Sequence, residues 1–329
     1  MIVSLGLVAL GLLLLVAGGE LLLRGAVAVA TLARVTPAVI GLTVVAAGTS
    51  VPELAVSLIA ALRGSEAIAV GNVVGSNIFN ITFILGLAAV IRPLAISGNT
   101  IRLEYPVLAL VTLLGLAVCD DGRISRLDAT LFLAIYVCFT AYLVTLVRGQ
   151  MNEAEVKGLR TEVKELAQTA GPRPRAWASI ALVAGGVCLL VAGAHATVSG
   201  AIELGRILGM TERVIGLTIV AAGTGLPEVV TSLVSSARGR DDIAIGNVIG
   251  SNLFNILGTL GISGLIRPVP VPRGIIEGDN WWMLGVTLLL FPLMFTSRRV
   301  ARWEGALLLA TYGLYLALLL ARSGTPAGG

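Results

Sequence analysis

Apolar residues dominate the chain in long uninterrupted stretches, and polar positions are few and clustered between them. A helix needs ~20 apolar residues to cross a hydrocarbon core of ~30 Å. On that scale the pattern predicts ten spans, at 3–30, 37–62, 67–91, 103–119, 127–147, 177–205, 213–237, 243–266, 281–296 and 303–321. One long polar interruption, Arg148 to Arg175, divides them five and five. Its middle, Asn152 to Glu165, places opposite charges at helical spacings and supports a short surface helix, which Gly171-Pro-Arg-Pro-Arg175 ends. The expected fold is an all-α polytopic membrane protein. Residues 1–148 form a first five-helix repeat, 149–176 a linker and 177–329 a second five-helix repeat.

The two halves share a motif. Gly41-Leu-Thr-Val-Val-Ala-Ala-Gly-Thr-Ser-Val-Pro-Glu53, followed by Gly71-Asn-Val-Val-Gly-Ser-Asn-Ile-Phe-Asn80, returns 175 positions later. The second copy reads Gly216-Leu-Thr-Ile-Val-Ala-Ala-Gly-Thr-Gly-Leu-Pro-Glu228 and Gly246-Asn-Val-Ile-Gly-Ser-Asn-Leu-Phe-Asn255. The first and sixth spans echo each other more weakly, with Gly18, Gly25 and Ala26 matching Gly193, Gly200 and Ala201. Five spans per half is an odd number, so the second half enters the membrane upside down. Inverted repeats place a binding site near the midplane, where the halves meet.

Composition agrees with the membrane class. The chain is 56% hydrophobic and 13% charged, with a mean hydropathy of +0.94, against about 25% charged in soluble domains. The net charge of +4 comes without a Lys/Arg cluster interleaved with aromatics, so no nucleic-acid partner is expected. Nor is a protein partner evident. The Lys and Arg residues instead set orientation: fourteen fall on one set of loops and eight on the other. That bias puts both termini outside the cell membrane and the linker in the cytoplasm. The first apolar stretch is too long for a signal-peptide core and reads as a retained span. Cys119, Cys138 and Cys188 stand singly and are expected to be small buried hydrophobes.

The repeated motif carries the chemistry. Pro52 has no N–H to offer the carbonyl of Gly48, and Pro227 withholds one from Gly223, so each helix breaks and frees carbonyl oxygens. In hydrocarbon such groups need a partner, and a bound cation is one. Glu53 and Glu228 follow the prolines directly, and neither has a basic partner in its own span. Carboxylates at membrane depth mark ion pathways. Asn72, Ser76 and Asn80 recur every four residues, as do Asn247, Ser251 and Asn255, which aligns each triplet on one helix face. Ser76, Asn80, Ser251 and Asn255 are expected to face the site. Asn72, Asn77, Asn247 and Asn252 are open to either a structural or a site role. His195 and Glu20 align in the repeat and read as packing or interhelical contacts. The donors are all oxygen, which suits Ca²⁺ or Na⁺ rather than zinc or copper. Two glutamates balance one Ca²⁺ or two Na⁺.

These motifs resemble the two α-repeats of the cation/Ca²⁺ antiporter superfamily, in particular prokaryotic sodium/calcium exchangers. The resemblance covers essentially the whole chain. It implies a secondary antiporter that exchanges Na⁺ for Ca²⁺ by alternating access, with the first and sixth spans sliding against the other eight. It implies a site lined by Ala46, Thr49, Ser50, Glu53, Ser76 and Asn80, facing Ala221, Thr224, Glu228, Ser251 and Asn255, with Ala46, Thr49, Ala221 and Thr224 acting largely through backbone carbonyls. Ca²⁺ and Na⁺ are then transported ions, and no cofactor is implied. Two positions depart from the pattern. Gly225 stands opposite Ser50 in the repeat, and Asn255 stands where such exchangers often carry an aspartate. Three Na⁺ would leave this site at +1, so a three-for-one stoichiometry is not implied.

Exchange of H⁺ for Ca²⁺, involvement of K⁺, and a cation channel are the alternatives that the same residues admit. An enzyme is not expected. The aspartates fall near span ends, His195 is the one histidine, and neither a phosphate loop nor an HExxH motif is present.

Overall fold

The computed structural model describes residues 1–33, 35–62, 66–150, 176–207 and 221–324. In lipid a backbone must satisfy its own polar groups, and the apolar stretches accordingly become helices. The first half runs as α1 (Ile2–Ala33), then α2 (Pro37–Ile40), α3 (Ala46–Thr49) and α4 (Val51–Leu62). It continues through α5 (Glu66–Phe79), α6 (Leu85–Ile91), α7 (Tyr105–Cys119) and α8 (Arg126–Gln150). The second half runs as α9 (Ala176–Ile207), α10 (Ala221–Thr224), α11 (Leu226–Ala237) and α12 (Asp241–Leu253). It ends with α13 (Leu260–Ile266), α14 (Asn280–Ser297) and α15 (Arg302–Gly324).

Six described helical segments are long and apolar enough to cross a membrane, and a bent pair, Gly41–Thr49 with Val51–Leu62, makes a seventh. The expected spans at 281–296 and 303–321 are occupied by α14 and α15, which lie outside that count. The expected span at 213–237 is described only from Ala221 onward, and the expected linker helix lies outside the described residues.

The repeat extends to irregularities of the backbone. A π-helical turn at Asn80–Ile84 has its counterpart at Phe254–Thr259, and one at Thr100–Glu104 has its counterpart at Ile275–Asp279. Such wide turns inside α-helices are frequent at functional sites. Four short strands tie the halves together: β1 (Leu94–Ala95), β2 (Arg123–Ile124), β3 (Val269–Pro270) and β4 (Arg299–Val300). β1 pairs antiparallel with β4, and β2 with β3, so each half lends both its strands to the other.

α1 and α9 pack along a glycine seam. Gly11 meets Gly193 and Gly18 meets Gly186, while Gly25 lies against Val183 and Gly200 against Ser4; successive glycines on each helix are seven positions apart. A Cβ added at Gly18 would lie 2.8 Å from the Leu190 nitrogen and 2.9 Å from the Gly186 oxygen. The contacts run in opposite chain directions, Gly11 against Thr197 and Gly25 against Val183, so the helices are antiparallel. Small residues let the backbones touch where lipid offers no hydrophobic drive to associate.

Of the cysteines, Cys119 is buried, but Cys138 and Cys188 are exposed on the helix surfaces, contrary to the expectation of burial. In a membrane an apolar position need not face the core, because lipid solvates it equally well.

Candidate ion-binding site

Both proline motifs break their helices. At Ser50 the backbone leaves the helical region (φ −84°, ψ 11°), and the flanking segments bend by 52°. Gly225 does the same in the second half (φ −82°, ψ 1°) before α11 begins with Pro227 in its first turn. α12 lies against the first break closely enough that a Cβ at Gly250 would come within 2.7 Å of the Ala46 Cβ. That approach brings Ser251 to the break.

Glu53 and Glu228, just past the two breaks, are each 1% exposed. Ser50 Oγ donates to Glu228 Oε1 at 2.9 Å, so the first half holds the carboxylate of the second. Gly225 has no hydroxyl to return that bond to Glu53. Glu53 Oε2, Glu228 Oε2, Ser251 Oγ and Asn255 Oδ1 are all buried without a hydrogen-bond partner. Among the described residues no ion pair includes either glutamate. Buried charge left in that condition is strongly destabilising, and a set of orphaned oxygens around it is a cation site in chemical terms. No group of three or more His, Cys, Asp or Glu side chains gathers among the described residues. The neutral oxygens must therefore complete any shell, as they do around hard cations.

The asparagines build the frame. Asn77 Nδ2 donates to the Asn252 carbonyl at 3.3 Å, and Asn252 Nδ2 donates to the Asn77 carbonyl at 3.4 Å. Asn80 Nδ2 donates to Asn252 Oδ1 and Asn255 Nδ2 to Asn77 Oδ1, both at 3.0 Å. The four amides form a two-fold cross-link between the halves, and it fixes the Asn255 amide so that its oxygen is the end left over. Asn77 and Asn252 thus have a structural role, as do Asn72 and Asn247. Asn72 Nδ2 donates to the Glu53 carbonyl at 3.0 Å and to Ser57 Oγ at 2.9 Å. Asn247 Nδ2 donates to Ser232 Oγ at 3.1 Å, while its Oδ1 accepts from Thr49 Oγ1 at 3.2 Å.

Of the expected site residues, Thr49, Ser50, Glu53, Asn80, Glu228, Ser251 and Asn255 are buried together around the breaks. Ser76 is only half-buried, unlike its counterpart Ser251. The Ala46 carbonyl already accepts from the Ser50 N–H at 3.0 Å and from Thr49 Oγ1 at 3.3 Å. Ala221 and Thr224 form the last turn before the second break. Ser57 and Ser232 were missed as supports, although they match in the repeat one turn after each glutamate. Glu20 lies away from the site, accepting from Arg24 and Arg238, each at 3.0 Å, and His195 is exposed.

Replacing Asn252 by Leu leaves Asn80 Nδ2 without its acceptor and removes the side-chain donor to the Asn77 carbonyl; a buried donor so stranded costs ~1–3 kcal/mol. Asn252→Leu is expected to lower the melting temperature of the detergent-solubilised protein by several degrees. An unchanged melting temperature would remove the cross-link from the account.

A helical membrane protein with paired broken helices and two buried, uncompensated carboxylates belongs to the ion transporters rather than the enzymes. The family model described as sodium/calcium exchanger protein matches residues 3–145 and again 178–321. The chain belongs to the sodium/calcium exchanger family, within the cation/Ca²⁺ antiporter superfamily. It is 39% identical to the putative antiporter CaxA of Alkalimonas amylolytica, over 97% of this chain and 99% of that one. It is 31% identical to the sodium/calcium exchanger MaX1 of Methanosarcina acetivorans, over 94% of this chain and 96% of the relative. Among solved structures, the sodium-calcium exchanger NCX_Mj superposes with a TM-score of 0.81 at 30% identity, covering 97% of this chain and 99% of that one.

Proposed function

We propose that this protein exchanges Na⁺ for Ca²⁺ across the cell membrane by alternating access, with the ions bound between Glu53 and Glu228. The observation that carries this reading is the pair of buried carboxylates, each with an orphaned oxygen and neither in an ion pair among the described residues. Ser50, Ser76, Asn80, Ser251 and Asn255 supply side-chain oxygens, and Ala46, Thr49, Ala221 and Thr224 supply backbone carbonyls at the breaks. The chain crosses the membrane ten times as two inverted five-helix repeats. The reciprocal strand pairs and the matched π turns support that arrangement. Both termini lie outside and the linker lies in the cytoplasm, as the Lys/Arg bias indicates.

A second reading, H⁺ for Ca²⁺, draws on the charge of the site. With Asn255 in place of a third carboxylate, two protons neutralise it as completely as two Na⁺ do. The test is ⁴⁵Ca²⁺ flux in proteoliposomes under separately imposed Na⁺, K⁺ and H⁺ gradients. Uptake driven by the Na⁺ gradient at constant pH is expected. Uptake driven only by the pH gradient selects H⁺, and Ca²⁺ movement that needs no counter-ion selects a channel.

A further inference from the structure

Five buried hydroxyls remain unused by this site. Thr231, Ser235 and Ser236 on α11, and Thr259 and Ser263 beyond α12, are each no more than 2% exposed, and none of the five hydroxyl oxygens has a hydrogen-bond partner. Burial without a partner is costly, so such groups call for a ligand or water. The fold itself does not demand them. The equivalent positions in the first half are Val56, Ala60, Ala61, Ile84 and Ala88, all apolar.

Their placement is ordered. Thr231 and Ser235 stand three and seven residues beyond Glu228, on the same helix face. Ser236 completes the row at its outer end, where Arg92 Nη1 donates to the Ser236 carbonyl at 2.6 Å and lies 3.8 Å from the Asp241 carboxylate. Thr259 and Ser263 stand four and eight residues beyond Asn255 and lead to the opposite side. There Arg267 Nη1 donates to the Leu62 carbonyl at 3.3 Å. Arg92 and Arg267 are equivalent in the repeat, and each reaches the end of the other half's broken helix. α11 packs against α6, and α13 against α4. At both contacts the hydroxyls come from the second half, and the first-half positions equivalent to them are apolar.

We propose that these rows solvate the transported cation on its way to and from the site: Thr231, Ser235 and Ser236 between Glu228 and Arg92, Thr259 and Ser263 between Asn255 and Arg267. Hydroxyl oxygens replace part of the hydration shell of a hard cation as it passes. The apolar first-half positions offer no competing ligand that would trap it. The identity of the moving ion rests on the exchange reading above; the path does not.

The test is the double variant Thr231→Val/Ser235→Ala, which gives α11 the residues the first half already carries at those positions. Equilibrium ⁴⁵Ca²⁺ binding to the solubilised protein is expected to stay within about 2-fold of wild type, while exchange in proteoliposomes slows by about 10-fold or more. An unchanged rate would show that the hydroxyls only pack, and loss of binding together with rate would place them in the site; either result overturns the proposal. Wild type run beside it separates the two readings, since a wild type inert to every gradient refutes exchange alone. The path is then read by labelling with a charged methanethiosulfonate in a Cys138→Ser/Cys188→Ser background. Ser235→Cys is expected to react, and Leu288→Cys, exposed midway along α14 and on neither row, to remain protected. Protection of both overturns the proposal.

Discussion

Glu228→Gln is expected to abolish Ca²⁺ transport while leaving the protein folded. The substitution keeps the shape of the side chain and still accepts the hydrogen bond from Ser50 Oγ, now 2.9 Å from Glu228 Oε1. What it removes is one of the two negative charges facing the ion. Breaking a buried charge pair costs ~3–5 kcal/mol, or about 10²- to 4 × 10³-fold in affinity. Without Ca²⁺ the variant should melt no lower than wild type, because an uncompensated buried charge has been removed. The rise in melting temperature that Ca²⁺ gives the wild type should disappear, since a ligand stabilises only the state it binds. Glu53→Gln should behave alike. Persistence of the Ca²⁺-induced shift in both variants would sink the site.

The second large effect is expected at the glycine seam. In Gly193→Val the new Cβ would sit 2.8 Å from both the Gly11 oxygen and the Leu15 nitrogen, so α1 and α9 must part. Overpacking of this kind typically costs ~1–3 kcal/mol, and here the obstacle is backbone that no rotamer change relieves. If the two helices slide together against the bundle, exchange should fall at least about 10-fold. Gly185→Val, on the same helix, is the control: nothing lies within 4 Å of its added Cβ, and its rate should stay near wild type. Equal rates for the two variants would mean that close contact along the seam is not needed for transport.

Much of the site was legible because it is written twice. A proline and a glutamate repeated 175 positions apart, inside apolar runs, identify a break and a charge at membrane depth without any coordinates. The four-residue spacing of Asn72, Ser76 and Asn80 and of their counterparts located the polar faces. It did not say which amides bind an ion and which bind each other. Asn77 and Asn80 are three residues apart and chemically identical. Only the crossing of the halves shows that Asn77 spends its amide on the Asn252 backbone, while the amide oxygen of Asn255 is left over. Contacts between residues so distant in sequence leave no local spacing to read.

Packing of the membrane-facing surface was equally hidden. Hydropathy places Cys119, Cys138 and Cys188 in similar apolar surroundings, yet only the first is buried. Lipid and protein interior are both apolar, so composition cannot tell one face from the other.

By itself the sequence determined the class, the duplication, the helix breaks and the two carboxylates, because each follows from local chemistry: backbone that must pair in lipid, proline that cannot donate, charge that must be compensated. The tertiary structure decided what depends on two segments meeting. It joined Ser50 to Glu228, locked four asparagines across the halves, set α1 against α9 at backbone distance, and left five hydroxyls of the second half buried without partners. An orphaned oxygen is a property of its surroundings, and those are fixed only when the halves close on each other.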